Sequence, residues 1–138
     1  MEDNLGSATD ISTAFRTGRA ALSAHNTADA LAQRDIIVAE VKQMQAGMAI
    51  HYLNDVKTKV ADGADQSAIN HSMSEALAFI FGIQFISETP DMSTADVMAL
   101  VSQIEPAVAG FTMSLTSINA VIDQVAAATG LESVKDLL

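Results

Sequence analysis

Cysteine is absent from the 138-residue chain. That excludes disulfides, thiolate metal sites, cysteine nucleophiles and a C-x-x-C-H haem attachment. Tryptophan is absent as well, and aromatic residues make up only 4% of the sequence. The apolar surface must therefore come from Ala, Leu, Ile, Val and Met, a mixture that suits closely packed helices better than a sheet. Only two prolines interrupt the chain, which leaves room for long elements. Basic residues are scarce: seven Lys and Arg stand against seventeen Asp and Glu, for a formal charge of −10. Nucleic acid is therefore not expected as a partner, and an anionic membrane surface would not attract the chain. The most apolar run, Phe79 to Ile86, falls far short of the roughly 20 residues of a membrane span. The start Met1-Glu2-Asp3-Asn4 lacks the basic and then apolar pattern of a secretory signal.

What is present is a hydrophobic fraction of 49%, enough to bury the core of one domain. We read the whole of residues 1–138 as a single all-α domain, an antiparallel bundle of about five helices. The first helix runs from about Thr9 to Ala24, with Ser7 or Thr9 as cap. Its seam is Ile11, Phe15, Gly18 and Leu22 at helical spacing. After the break at His25-Asn26-Thr27, the longest helix extends from about Ala28 to Val60. Ile37, Val41, Met44 and Met48 form its core stripe. Gly63 marks the turn into a third helix from about Gln66 to Ile86. Ile69, Met73, Ala76 and Ile80 share one of its faces, and its second half is apolar all round, as a centrally placed helix would be. Ser93 opens a fourth helix that buries Val97, Leu100, Val101 and Ile104 and ends before Pro106. Residues 107–115 read as a loop or a helical turn. A fifth helix from Thr116 carries Ile118, Ile122 and Val125, stops at Gly130, and leaves a tail with room for a short turn.

The residues able to do chemistry gather on the second and third helices. With the turn centred at Gly63, an antiparallel hairpin sets His51 level with Glu75 and Asp55 level with His71. His51/Asp55 and His71/Glu75 are also spaced i, i+4, so each pair shares a helix face. Two imidazoles and two carboxylates at matched heights make His71, Glu75, His51 and Asp55 candidate ligands for a transition metal. The bland alternative is a His–carboxylate hydrogen bond inside the bundle, or a solvated bundle end. A haem reading uses His51 or His71 as axial ligand with Met44, Met48 or Met73 nearby, although methionine at helical spacing more often fills a core. Ser72 and Ser74 flank Met73 but sit in neither a G-x-S-x-G elbow nor an H-E-x-x-H context, and read as packing residues. Arg16 and Arg19 are spaced to share a carboxylate, with Glu75 or Glu40 as the expected partner. Tyr52 and Asn54 read as side chains that satisfy buried backbone groups.

Three segments occur in one order: Phe15-Arg16-Thr17-Gly18-Arg19-Ala20-Ala21, Tyr52-Leu53-Asn54, and His71-Ser72-Met73-Ser74-Glu75-Ala76-Leu77-Ala78-Phe79-Ile80-Phe81 followed by Gln84-Phe85. Together they resemble an uncharacterised family, a domain of unknown function, of Gram-negative cell-envelope lipoproteins that are distantly imelysin-like. The resemblance spans about Asp10 to Gly130 and corresponds to the C-terminal part of a family member. It implies an all-α fold, a periplasmic or outer-membrane-attached location, and a lipid anchor outside this chain. Imelysin-like proteins are associated with iron acquisition and carry a G-x-H-x-x-E motif. Here Ile69-Asn70-His71 lacks the glycine and the acid follows four residues later, so that site does not transfer as it stands. The expectation is a non-catalytic domain with a binding role, linked to iron, haem or another metal, whose partner is a protein or a second copy. The alternatives are a structural or oligomerisation module and a metallopeptidase-like enzyme.

Overall fold

A computed structural model describes residues 2–108 and 113–138. Its described residues form helices and no strand: α1 (Glu2–Leu5), α2 (Ser7–Ser23), α3 (Thr27–Ala61), α4 (Gln66–Gly82), α5 (Thr94–Val108) and α6 (Leu115–Thr129), with 3-10 turns at Ile83–Phe85 and Lys135–Leu137. The all-α bundle expected from composition is the observed architecture.

Local chemistry explains most boundaries. Asn26, Asp65, Ser93 and Ser114 each accept a hydrogen bond from the backbone N–H three residues on, at 2.9–3.2 Å, and so begin α3, α4, α5 and α6. Gly63 and Gly130 adopt φ of 68° and 74° and stop the preceding helices. Several boundaries differ from the sequence reading, among them the end of α4, which gives way at Gly82 to a 3-10 turn, short of the expected Ile86. α2 begins after Gly6 without a side-chain cap, because the Ser7 hydroxyl donates instead to Glu40 Oε2 of α3 at 2.7 Å. α5 continues past Pro106 to Val108: a proline removes one backbone donor, but its fixed φ is itself helical. Of the stretch 107–115, residues 109–112 lie outside the described residues.

The core sits among the C-terminal half of α3, α4, α5 and α6. Ile50, Leu53 and Val56 of α3 meet Met73 and Ile80 of α4, Leu100 and Ile104 of α5, and Ile118, Val121 and Val125 of α6. The stripes expected on the last three helices are therefore buried or packed against this cluster. Two expected apolar regions are not. The second half of α4 is covered on one side only, and Phe81 and the following Phe85 remain exposed, touching each other edge-on. The stripe Ile37-Val41-Met44-Met48 is not the core stripe of α3. Burial begins at Ala46, so the first half of α3 lies outside the core, packed mainly against α2.

Tethers hold this extension to the body. Lys42 donates to Thr89 O at 2.5 Å and pairs with Asp91 at 2.8 Å. Gln43 donates to Thr129 O at 2.9 Å. At the other end of α3, Asn54 Nδ2 reaches Lys135 O at 2.8 Å and Leu138 O at 3.2 Å, tying down the tail. Tyr52 stacks on Phe79 with ring centroids 5.6 Å apart. Asn54 thus satisfies backbone carbonyls as its type suggests, whereas Tyr52 is held by its ring contact and not by the expected bond to a backbone group.

Candidate functional site

The α3–α4 hairpin sets the expected metal residues apart. Asp55 faces Ser72, not His71. The Ser72 hydroxyl donates to Asp55 Oδ2 at 2.5 Å, and Lys59 Nζ lies 2.5 Å from Ser72 Oγ and 2.7 Å from Asp55 Oδ2. A one-residue shift in register turns the neighbouring side chain by about 100° around the helix, which leaves His71 exposed. His51 is also exposed, its ring edge-on to Tyr52, and Glu75 is half-buried. No group of three or more His, Asp or Glu able to hold a metal exists among the described residues. The expected convergence of His71, Glu75, His51 and Asp55 is therefore corrected: the carboxylate nearest the centre is already satisfied by Lys59 and Ser72.

The Asp55–Ser72–Lys59 cluster resembles a hydroxyl activated by an amine. Ser72 is fully buried, however, so its oxygen is closed to a substrate, and its bonds to α3 make it an interhelix clip. Burial raises the Asp55 carboxyl, but hydrogen bonds from Lys59 and Ser72 and the charges of Lys59 and His51 outweigh it and hold the group below its ordinary value. The stabilisation this provides is complete above the ordinary carboxylate pKa and is lost as pH falls through the lowered value. Asp55→Asn is accordingly expected to flatten the acid limb of a stability–pH curve measured by urea unfolding between about pH 5 and pH 2. Because the pair is partly exposed, the difference at neutral pH is on the order of 1 kcal/mol or less. An unchanged acid limb would show that the clip does not titrate with folding.

An open apolar feature of the surface is the hairpin of α2 and the first half of α3. α2 meets α3 through Ala14, Gly18 and Ala21, all buried. A Cβ at Gly18 would lie 3.3 Å from Gln33 Cβ, so the two backbones approach as closely there as glycine allows. Small residues at the contact let the helices close up. The larger members of the expected seam, Phe15 and Leu22, are turned aside and stand 62% exposed each. Beside them on α3, Val41 and Met44 are about 40% exposed. Between the helices lies an open groove of about 400 Å³ lined by Phe15, Leu22, Ile37 and Val38, with Arg19 and Arg34 at its margin.

Arg16 and Arg19 do not form the ion pair expected with Glu75 or Glu40. Among the described residues Arg16 reaches the Thr13 hydroxyl, at 3.4 Å, and Glu40 is taken by Ser7. Arg34 pairs with its neighbour Asp35 at 2.6 Å. Within residues 7–45 the basic Arg16, Arg19, Arg34 and Lys42 balance the acidic Asp10, Asp29, Asp35 and Glu40, so the whole formal charge of −10 falls on the remainder. This arrangement offers apolar contact area without net charge. The visible sequence signal was the pair of apolar stripes themselves, read as core because both have helical spacing.

No helix among the described residues is long and apolar enough to cross a membrane. No curated protein and no solved structure matches the chain significantly. A family model described as a domain of unknown function, DUF4856, matches residues 2–132. With nearly the whole chain covered by that match, the protein belongs to the DUF4856 domain family.

Proposed function

We propose that this is a non-catalytic binding domain of a cell-envelope protein, and that it engages a protein surface through the groove face of the α2–α3 hairpin. One observation carries the reading: Phe15, Leu22, Val41 and Met44 keep the spacing of core stripes yet remain exposed on one projecting hairpin. Contiguous apolar surface of this kind marks an interaction site more often than a solvent face. The envelope setting is supported by the sequence resemblance, and the link to iron or haem has the same source. Neither depends on His51, Asp55, His71 or Glu75 acting together.

An environment-sensitive apolar dye tests the face at low protein concentration. The wild-type chain is expected to bind and enhance the dye. Phe15→Ser combined with Leu22→Ser is expected to remove most of the enhancement while leaving helicity by circular dichroism unchanged, since both side chains are exposed. Absence of wild-type binding, or equal binding by the variant, overturns the reading.

A further inference from the structure

We infer that the groove between α2 and α3 takes an amphipathic helix of a partner protein, one that carries a carboxylate between two apolar side chains at one-turn intervals along its inner face. The inference rests on the binding reading above and names the chemistry of the partner.

The form of the occupant follows from the lining. Gln33 is the one neutral hydrogen-bonding side chain among the residues that line the groove, and the backbones of α2 and α3 are paired within their own helices. An extended segment would lay unpaired N–H and C=O groups against that wall, whereas a helix arrives with its backbone already paired. A groove between two helices, open along one side, does not enclose a small molecule over most of its surface as a ligand pocket does. A third helix covers both walls at once and completes a three-helix unit.

Charge selects which helix. Arg19 of α2 and Arg34 of α3 are the only charged residues that line the groove. Gly18 packs on Gln33, so in this antiparallel pair Arg34 stands on the opposite wall about 3 Å along the axis from the level of Arg19. Acids are in excess in the chain, and the lysines are engaged: Lys42, Lys59 and Lys135 pair with Asp91, Asp55 and Asp123, and Lys57 donates to Asn54. Arg19 forms no ion pair among the described residues. Arg34 holds Asp35 in a pair largely open to water, which an incoming carboxylate replaces at little cost. Phe15 precedes Arg19 by four residues and Leu22 follows it by three, so the α2 wall reads apolar, cationic, apolar along one face. A helix lying along this wall meets it with apolar, acidic and apolar side chains at successive turns. One carboxylate suffices. A strongly acidic segment would be repelled by the remainder of the chain, which carries the whole charge of −10.

A displayed library of helices about 18 residues long, about 27 Å, with three inner-face positions one turn apart randomised, tests the inference. Selection on the wild-type chain is expected to enrich Leu, Ile or Phe at the outer two positions and Asp or Glu at the central one. Selection on Arg19→Glu is expected to turn the central preference to Lys or Arg while the outer two stay apolar. For a synthetic peptide of the selected sequence, replacing the central acid by Gln is expected to cost about fivefold in affinity for the wild type and nothing for Arg19→Gln. Phe15→Ser with Leu22→Ser is expected to abolish selection. Arg19 is exposed, so its variants should keep the wild-type circular dichroism. A chain that binds the dye but selects no helix overturns the inference and leaves the binding face standing. If dodecanoate then displaces the dye from the wild type and not from Arg19→Gln, the groove belongs to a single-chain anionic amphiphile instead. A central preference unmoved by Arg19→Glu also overturns the inference, as does self-association of the chain through Phe15 and Leu22. A chain that neither binds the dye nor selects a helix overturns both readings.

Discussion

Leu53→Ala is expected to lower the free energy of unfolding by about 2–5 kcal/mol. Leu53 is fully buried on α3, where that helix meets the core cluster shared with α4, α5 and α6. Truncation removes buried methyl groups and leaves a cavity whose walls belong to several helices, so collapse around it requires moving more than one backbone. The shift in urea midpoint at constant slope is the measurement. A loss under about 1 kcal/mol would mean that the site closes up or that Leu53 is not central to the core.

Gly18→Leu is expected to detach α2 without unfolding the body. Leucine improves helix propensity by about 0.8 kcal/mol over glycine, but it must enter a contact where even a Cβ lies 3.3 Å from Gln33 Cβ. Overpacking of this kind costs about 1–3 kcal/mol, so the steric effect wins. The substantial packing of α2 is against α3 alone, and neither Ala14 nor Ala21 belongs to the main core cluster. Amide exchange in Ser7–Ser23 should therefore accelerate by about tenfold or more while that of α4–α6 stays put. Equal acceleration in both regions would show that hairpin and core unfold as one unit. Gly18→Ala serves as the control: its methyl group sits at the edge of what the Gln33 stem can accommodate, so its effect should be much smaller.

The candidate site shows how sequence spacing and structure part ways. The hairpin turn at Gly63 was legible, and the expected level of Asp55 against α4 was wrong by a single residue. That residue decided the chemistry, because Ser72 points inward and His71 points out. The stripe Ile11-Phe15-Gly18-Leu22 and the observed seam Ala14-Gly18-Ala21 share Gly18 and lie side by side on α2. Hydrophobicity alone favours the first. Close approach favours the second, since small side chains admit the neighbouring backbone and large ones hold it off. Similarly, Ile37, Val41 and Met44 have the spacing of a core stripe whether or not anything covers them.

The sequence by itself determined the helical class, the cap at Ser93, the turns at Gly63 and Gly130, and the buried faces of α5 and α6. These depend on backbone geometry and on periodicity within one segment, interactions that span a few residues. Only the tertiary structure decided that Asp55 meets Ser72 and Lys59, that His51 and His71 face solvent, and that the α2–α3 hairpin keeps an apolar face open. Those outcomes depend on how one helix is rotated and advanced against another. A helix with two apolar stripes does not encode which of them its neighbour will cover.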